Sequence, residues 1–224
     1  MLEHTWRVTR DLPGDVQCFV ATDSAEIAKI AAGFGAAVLM TSETCQNGTE
    51  RCAEALAQLG DSFDMIVNLQ GDAPLTPPSF IGALTDALAQ APEFAMATPV
   101  LACDASAKAR LLQDRKEGRI GGTTAVFDDA GRALYFSKEV IPHGAATSYH
   151  HVGLYAYRAE ALRRYATWPM GRLEQSEGLE QLRFIENSAP VLCVQMQHDA
   201  ASFWEVNNPG DIAIVENLLA RQRK

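Results

Sequence analysis

The stretch MIVNLQGD, residues 65–72, is the most informative part of the chain for its fold. Residues 65–70 are almost continuously apolar, which is typical of a strand buried on both faces of a parallel sheet. Glycine and aspartate end the run, so Asp72 is expected at the mouth of the sheet, where open α/β sheets bind ligands. A carboxylate there is a candidate Mg²⁺ ligand, and a turn aspartate is the alternative.

Strand and helix patterns alternate around this stretch. Short apolar, β-rich runs predict strands at 16–22, 37–40, 65–70 and 94–100. Asp23 is the predicted N-cap of the first helix, with Glu26 three residues later as its capping-box partner. Further helices are expected to begin at Thr49 and to span 79–90. This order predicts an α/β fold with a doubly wound, mostly parallel sheet.

The second half of the chain has a different pattern. After a polar, basic stretch at 103–121, it predicts a hairpin with strands at 123–127 and 133–137 and a turn at 128–131. Further strands are expected at 150–157, 191–195 and 203–206, and helices at 159–166, 173–187 and 209–223. Repeats and low-complexity linkers are absent from the sequence. We therefore predict a single domain over 1–224 with a β-rich insertion around 103–158.

Composition narrows the class of protein. The 224 residues are 47% hydrophobic and 21% charged, with a formal net charge of −9 and a pI near 5.0. These values exclude a disordered chain, a collagen and a coiled coil. An acidic chain without a dominant basic face argues against nucleic-acid and membrane-surface binding. Apolar runs fall short of the roughly 20 residues that a membrane helix needs, and the start lacks a signal-peptide pattern.

The five cysteines are scattered and form no C-x-x-C pair, so zinc and redox motifs are unsupported. Cys18 and Cys193 lie in apolar runs and are interpreted as small core residues. Unpaired cysteines without a framework favour a reducing compartment, so we expect a cytoplasmic protein.

The loop QNGTER, residues 46–51, is a second candidate site. Gln46 offers an amide edge that pairs with a base, and Gly48 permits close backbone approach. Thr49 opens a helix, and Arg51 is expected on its first turn. An ordinary loop-to-helix entry is the alternative.

A third loop spans 204–211, after the predicted strand 203–206. Asn208 is the predicted N-cap of the last helix, with Pro209 at the first helical position. Asn207 ends the strand and offers a neutral oxygen to a metal ion.

Polar groups also converge in the second half of the chain. Strand alternation puts His150 and His151 on opposite faces, so at most one is expected in a given site, and Tyr155 and Tyr157 share the face of His151. On the predicted helix 173–187, helical spacing aligns four polar residues: Glu174, Glu177, Glu180 and Gln181. A solvated helix face is the alternative. The residues alone support a nucleotide- or phosphate-handling α/β enzyme that uses Mg²⁺.

Six motifs, taken together, resemble one known family. They are VATD (20–23), QNGTER (46–51), NLQGDAP (68–74), ALYFSK followed by IP (133–138, 141–142), HVGLYAYR (151–158) and LEQSEGLEQLRF (173–184). Their order and spacing are similar to those of 3-deoxy-manno-octulosonate (Kdo) cytidylyltransferases, and the resemblance covers nearly the whole chain. It implies a nucleotidyltransferase α/β fold, a homodimer, and Mg²⁺-dependent joining of CTP to Kdo with release of pyrophosphate for lipopolysaccharide synthesis.

The resemblance also implies roles for individual residues. It implies catalytic roles for Asp72 and Lys138 and metal binding by Asp72 and Asn207. The implied nucleotide contacts are Gln46, Gly48, Thr49 and Arg51, and the implied sugar contacts are Gln70, His151, Tyr155, Glu180 and Gln181.

Four departures from the family pattern leave alternatives open. Asn207 stands where the family has aspartate, Thr124 where it has lysine, and Lys138 where it has arginine, which loses a bidentate fork. The sequence as given also lacks the family's first strand and triphosphate loop, about 30 residues. The alternatives are CMP activation of another acidic sugar, such as a sialic-acid-type or amino-Kdo substrate, and a non-catalytic paralogue without that loop.

Overall fold

The computed structural model describes residues 1–119, 122–197, 206 and 211–222. The helices are α1 (Leu2–Val8), α2 (Ala25–Gly33), α3 (Gly48–Leu59), α4 (Pro78–Gln90), α5 (Ala105–Lys116), α6 (Ala159–Tyr165), α7 (Arg172–Glu177), α8 (Leu182–Glu186) and α9 (Asp211–Gln222), with a 3₁₀ turn at Thr9–Asp11. The strands are β1 (Phe19–Thr22), β2 (Ala37–Met40), β3 (Met65–Leu69), β4 (Met96–Ala102), β5 (Thr123–Phe127), β6 (Ala133–Ser137), β7 (Tyr149–His151), β8 (Leu154–Arg158) and β9 (Val191–Gln195).

These strands form two sheets within the described ranges. β1 and β2 pair in parallel, and seven strands form a mixed sheet in the order β3-β8-β4-β7-β5-β6, with β9 on the other edge of β4. β9 runs parallel to β4, and β8 runs antiparallel between β3 and β4, so β3, β4 and β9 share one direction. The predicted α/β class, with helices alternating with a parallel sheet, is confirmed. β5, β6 and β7 pair antiparallel within the predicted β-rich stretch.

Both faces of the larger sheet are covered by apolar side chains. Along β8, Tyr155 and Tyr157 face a cluster that includes Leu56 of α3 and Phe184 of α8. Leu154, on the opposite face, joins a second cluster with helix α4. This alternation follows from the two-residue period of a strand. Burial on both faces explains why the strand patterns are nearly continuous in apolar residues.

The predicted hairpin at 123–137 is confirmed. β5 and β6 pair antiparallel, and Asp128 Oδ1 accepts hydrogen bonds from the N–H groups of Ala130 and Arg132 at 3.0 and 2.8 Å. Gly131 has φ +79°, a conformation that glycine adopts without steric cost. The turn is therefore determined by local residues.

The single strand expected at 150–157 is two strands. β7 ends at His151 and β8 begins at Leu154, with Val152 and Gly153 between them. The Val152 N–H donates to the Pro99 carbonyl at 3.1 Å, and its own carbonyl accepts the Leu154 N–H at 2.8 Å. These bonds satisfy the backbone at a bend that side-chain alternation does not reveal.

The prediction of one long helix at 173–187 is also wrong. Gly178 adopts the left-handed conformation, with φ +62°, and ends α7 before α8 begins at Leu182. The expected polar stripe therefore does not exist as one helix face. Glu174 is buried, Glu177 bonds to the Ser137 hydroxyl, and the turn between the helices carries Glu180 and Gln181.

Smaller differences lie at the ends of elements. Ser24, and not Asp23, is the N-cap of α2, because its hydroxyl accepts the Ile27 N–H at 3.3 Å. The first strand begins at Phe19. The predicted strand at 203–206 and Asn207 lie outside the described residues, except for Val206. Across the described residues, no helix is long and apolar enough to cross a membrane.

Candidate active site

A cavity of about 440 Å³ lies where the end of β3 meets the start of β5. Leu69 pairs with Leu154, and Thr123 pairs with His151, so β3 and β5 lie end to end along one edge of β8 and β7. We call the opening between them the fork. Seven residues that the sequence predicts for a ligand site line this cavity: Gly48, Gln70, Lys138, His151, Tyr155, Glu180 and Gln181.

A smaller cavity of about 160 Å³ adjoins the first and shares Asn47, Gly178 and Glu180 with it. Gln46 lines this smaller cavity. Its amide donates to the Thr44 carbonyl at 2.9 Å, and its N–H donates to Glu50 Oε2 at 2.7 Å. The predicted nucleotide-facing amide is thus anchored within its own loop.

The loop before α3 is held by a side-chain cap. Asn47, one residue before the start of the helix, accepts the Glu50 N–H on Oδ1 at 2.8 Å. Its amide nitrogen donates to the Tyr165 hydroxyl at 3.1 Å and to Glu174 Oε1 at 3.2 Å. The loop is thereby connected to α6 and α7, so its position depends on distant parts of the chain.

Thr49 lies inside the protein. Its side chain is buried, and its hydroxyl oxygen is 2.7 Å from that of the fully buried Tyr157. Its N–H donates to Glu180 Oε2 at 2.7 Å. The Thr49 hydroxyl therefore has a hydrogen-bond partner inside the protein, and the nucleotide contact that the resemblance implies for Thr49 stays a prediction.

Replacement of Thr49 by valine is expected to lower the free energy of unfolding by about 1–3 kcal/mol, because the buried Tyr157 hydroxyl loses its partner. Chemical denaturation of the variant measures this change. Thr49→Ser keeps the hydroxyl and is the matched control. Equal stability of Thr49→Val and the wild type would show that the two hydroxyls do not stabilise the fold.

Arg51 points toward the ends of β1 and β2. Its guanidinium donates to the Thr41 hydroxyl at 2.6 Å and pairs with Asp23 at 3.3 Å. It does not line the cavity at the fork. Its predicted nucleotide contact stays a prediction, with Asp23 as the counter-charge that a ligand would meet.

Asp72 follows Gln70 at the end of β3 and is half-buried. Burial raises the pKa of its carboxyl group, and the residue's own N–H lowers it in part. The Asp72 carbonyl accepts the Val206 N–H at 3.0 Å, so the backbone, and not the side chain, joins this turn to the later segment. Among the described residues, the carboxylate is not needed for this connection.

Asp72 fits a Mg²⁺ ion that is held mainly by substrate phosphates and waters. In the part of the chain that the structure describes, no group of three or more His, Cys, Asp or Glu side chains is placed to hold a metal. Mg²⁺ commonly uses one or two carboxylates together with substrate phosphates and waters. A cation stabilises the charged form of a partly buried carboxylate such as that of Asp72, so this residue fits a Mg²⁺ ion that arrives with the substrate.

His151 is buried and neutral. Its Nε2 lies 2.9 Å from the Thr98 hydroxyl oxygen, and that hydroxyl lies 2.9 Å from the Leu154 carbonyl. Since a hydroxyl that donates to a carbonyl accepts from the ring, Nε2 carries the proton. Burial lowers the pKa of His151 to about 3, with a smaller contribution from His150. His151 therefore contributes a neutral polar edge to the cavity.

The expectation that at most one histidine of the pair borders a site is wrong. Both line the cavity. The fork opens beside the end of β7, where Thr123 begins β5 opposite His151, and side chains from both faces of the sheet border the gap. Gly122 also lines the cavity, and a Cβ there would lie 3.4 Å from His150 Nε2. The pKa of His150 is lowered to about 4, mainly by burial and in part by Arg110 and Arg115.

The stability of the protein is expected to fall as pH decreases from about 6.5 toward 3. His151 binds a proton near pH 6.5 in the unfolded chain but only near pH 3 in the folded chain. Between these values the unfolded chain binds more protons, so acid favours unfolding. At pH 5 this difference corresponds to about 2 kcal/mol. His151→Gln is expected to show a smaller pH dependence in chemical denaturation at pH 7 and 5. His143→Gln, at an exposed site, is the control, and an equal slope for both variants would contradict the prediction.

Tyr155 and Gln181 meet on the floor of the cavity. The Tyr155 hydroxyl donates to Gln181 Oε1 at 3.4 Å, and Gln181 is about 1% exposed. The Tyr155 ring lies 5.7 Å from His151 and 5.8 Å from Tyr157 between ring centroids. The predicted shared face of these three residues is confirmed.

Lys138 enters the cavity from the end of β6. Its N–H donates to Glu177 Oε2 at 2.9 Å, and Arg115 donates to its carbonyl. Its Nζ lies 2.9 Å from the position that a Cβ on Gly178 would take. Thr124, the other departure, is buried and donates to the Glu139 carbonyl at 2.6 Å. Lys138 thus places a cation beside the turn that carries Glu180.

Sequence reasoning missed four polar residues beside the cavity: Asn47, Asn68, Thr98 and Arg183. Asn47 had a usable signal, since Asn before Gly at a helix start is a common N-cap. Asn68 is a single amide in an apolar strand, which marks a buried polar group. Thr98 and Arg183 act through distant partners, so their spacing gives no sign of their roles.

Comparisons with known proteins agree with this geometry. A family model described as "Cytidylyltransferase" matches residues 1–195. A 3-deoxy-manno-octulosonate cytidylyltransferase from Maricaulis maris (strain MCS10) is 40% identical, with 99% of this chain and 88% of that protein covered. An 8-amino-3,8-dideoxy-manno-octulosonate cytidylyltransferase from Shewanella sediminis (strain HAW-EB3) is 37% identical, with 98% and 88% covered.

A solved structure supports the same class. The structure of CMP:2-keto-3-deoxy-manno-octonic acid synthetase complexed with CTP is similar, with a TM-score of 0.85 and 27% identity, covering 99% of this chain and 88% of that one. Fold and site together define a nucleotidyltransferase. The chain belongs to the cytidylyltransferase family, and within it to the 3-deoxy-manno-octulosonate cytidylyltransferases.

Proposed function

We propose that the protein transfers CMP from CTP to the sugar acid Kdo, giving CMP-Kdo and pyrophosphate. One observation carries this proposal: the five residues expected to contact the sugar all line one cavity beside the start of α3. They are Gln70, His151, Tyr155, Glu180 and Gln181. The names of the relatives and the CTP complex of the similar structure support the same reaction.

The chemistry needs positioning and charge neutralisation. The anomeric hydroxyl of Kdo attacks the α-phosphorus of CTP, a new P–O bond forms, the bond to the bridging oxygen breaks, and pyrophosphate leaves while the hydroxyl proton passes to solvent. Lys138 offers the cation that a sugar carboxylate or a phosphate requires in a chain of net charge −9. Neutral His151 and the Gln181 amide add polar edges without further charge.

We propose that Asp72 holds Mg²⁺ together with substrate phosphates, and that Asn207, which lies outside the described residues, supplies a second oxygen. When bound, the ion neutralises phosphate charge and orients the α-phosphorus for in-line attack. The half-buried carboxylate of Asp72, with its raised pKa, supports this assignment.

We further propose that the enzyme is a cytoplasmic homodimer that supplies activated Kdo for lipopolysaccharide synthesis. Its partners are then CTP, Kdo and a second copy of the chain. Neither nucleic acid nor a membrane is expected as a partner. Light scattering on a size-exclusion column tests the dimer, and a mass of one chain at micromolar concentration would contradict it.

Pyrophosphate release tests the reaction. With CTP, Mg²⁺ and Kdo, the protein is expected to release one pyrophosphate per CMP-Kdo formed. The second candidate substrate is 8-amino-3,8-dideoxy-manno-octulosonate, because a relative of that name is nearly as similar as the Kdo enzyme. A sialic-acid-type sugar completes the panel. CTP binding by calorimetry without pyrophosphate release from any sugar would favour the non-catalytic paralogue.

A further inference from the structure

Lys138 contributes a side-chain ammonium group to the cavity at the fork. Among the described residues this ammonium forms no ion pair. Lysine has a flexible four-carbon stem, so its head group is positioned only as precisely as the backbone from which it extends. The contacts that hold the backbone of Lys138 therefore determine where this charge lies.

The backbone of Lys138 lies just beyond the end of β6. The β5–β6 ladder ends with the pair of Thr124 and Ser137, and side chains from two helices bond to Lys138 instead. The Lys138 N–H donates to Glu177 Oε2 of α7 at 2.9 Å, and the Lys138 carbonyl accepts from Arg115 Nε of α5. Both peptide groups of Lys138 are thereby held by residues 39 and 23 positions away.

Glu177 holds more than one residue at the end of β6. Its Oε1 accepts the Ser137 hydroxyl at 2.7 Å, and the oxygen of that hydroxyl accepts the Glu139 N–H at 3.0 Å. Gly178 follows Glu177, and Lys138 Nζ lies 2.9 Å from the position that a Cβ on Gly178 would take. The ammonium of Lys138 therefore lies against the same turn of chain that holds its backbone.

Arg115 connects the two sides of the fork. Its guanidinium donates to the carbonyls of Lys138 and of Gly122, which both line the cavity, and to the Arg119 carbonyl at 3.3 Å. Within the described part of the chain it has no carboxylate partner. A guanidinium carries several donors in a rigid planar fork, which suits a bridge between two carbonyls. Arg115 thus joins the end of β6 to the residue before β5.

We infer that Glu177 and Arg115 are positioning residues, which fix the backbone of Lys138 so that its ammonium lies ready in the cavity for an anionic group of the substrates. This inference rests on the proposed function, in which Lys138 meets a sugar carboxylate or a phosphate. Glu177 and Arg115 do not line the cavity, so each acts through Lys138. A cation that is fixed before the substrates bind needs no reorganisation during the reaction.

A double-mutant cycle with Lys138→Met tests the inference. Lys138→Met is expected to lower kcat/KM for Kdo about 30-fold, the loss that corresponds to one hydrogen bond to a charged group. Glu177→Met is expected to lower it about tenfold in the wild type. Added to Lys138→Met, it is expected to cost less than about threefold, because the charge that it positions is already absent. Both single substitutions are expected to change the same parameter among kcat, the KM for Kdo and the KM for CTP.

A conservative variant separates the position of the backbone from the charge of Glu177. Glu177→Gln keeps an oxygen for the Lys138 N–H and adds an amide N–H that can donate to the Ser137 hydroxyl. Its kcat/KM is therefore expected to stay within about threefold of the wild-type value. Glu160→Met, which removes an exposed carboxylate on α6, is the matched control for Glu177→Met.

Arg115→Met provides an independent test from the other side of Lys138. It is expected to lower kcat/KM for Kdo about tenfold, again with a much smaller effect when combined with Lys138→Met. Arg115→Lys is expected to recover only part of this loss, because an ammonium does not reproduce the bridging fork. Lys116→Met, at the exposed neighbouring position, is the matched control.

Three outcomes would overturn the inference. Equal losses from Glu177→Met with and without Lys138→Met would show that Glu177 does not act through Lys138. An unchanged kcat/KM with a lower melting temperature would make Glu177 structural, and a loss in Glu177→Gln as large as that in Glu177→Met would assign the effect to its charge. Failure of the proposed function has a different signature, namely no pyrophosphate release by the wild type with Kdo. In that case the panel sugar that does react replaces Kdo in the same cycle, and the two failures remain distinct.

Discussion

Asp72→Ala is expected to reduce the rate of pyrophosphate release by about 10³-fold or more, while the melting temperature changes little. The reduction follows from the proposed role of Asp72, because a metal ion that polarises a phosphoryl group lowers the barrier by several kcal/mol. The stability expectation follows from the contacts. The Asp72 carbonyl, which the substitution keeps, is the group that bonds to Val206, and the carboxyl group has a pKa already raised by burial.

Two measurements test this expectation. Pyrophosphate release is recorded against Mg²⁺ concentration, and CTP binding by calorimetry is compared with and without Mg²⁺. Asp72→Asn keeps the shape and removes the charge, and Asp86→Asn, on the exposed side of α4, is the matched control. A drop of several degrees in the melting temperature of Asp72→Ala would instead make Asp72 a structural turn residue, and full activity would remove it from the metal site.

Arg183→Met is expected to lower the free energy of unfolding by about 3–5 kcal/mol, because the substitution leaves a buried carboxylate without its counter-charge. Arg183 is about 3% exposed and forms two bonds to the equally buried Glu174, at 2.5 and 2.7 Å. It also donates to Glu50 at 2.9 Å, and its guanidinium lies 4.2 Å above the ring of Tyr165. The arginine thus connects α8 with α7 and with the first turn of α3.

Chemical denaturation with matched variants separates this pair from ordinary surface charges. Arg163 pairs with Asp61, whose side chain is 94% exposed, so Arg163→Met is expected to cost less than about 1 kcal/mol. Arg183→Met combined with Glu174→Leu is expected to recover part of the loss, since the unpaired charge is removed as well. Equal costs for Arg183→Met and Arg163→Met would contradict a stabilising role of the buried pair.

Local patterns in the chain predicted much of the fold. The apolar run at 65–70, the hairpin turn at 128–131 and the alternation of strands and helices all depend on residues within a few positions of one another. For that reason their periodicity and turn chemistry can be recognised without the tertiary structure. The shared face of His151 and Tyr155 was predictable in the same way, because it follows from strand geometry.

The failures have equally specific causes. Gly178 breaks a pattern that is helical on both sides of it, because it adopts the left-handed conformation of a helix C-cap and its N–H donates to the Glu174 carbonyl. The break at Val152–Gly153 relies on a bond to Pro99 from another strand. Asp23 satisfies the capping-box pattern but pairs with Arg51 and leaves the cap to Ser24. In the last two cases a distant contact replaced the local preference.

The sequence by itself determined the α/β class, most of the order of its elements and seven of the residues that line the cavity at the fork. The tertiary structure alone decided how those residues meet. Thr49 and Glu180 are separated by 131 positions, and Glu50 and Arg183 by 133, yet both pairs share hydrogen bonds beside the cavity. Periodicity carries information over one or two turns of chain, whereas such contacts depend on how the sheet forks and where its helices pack.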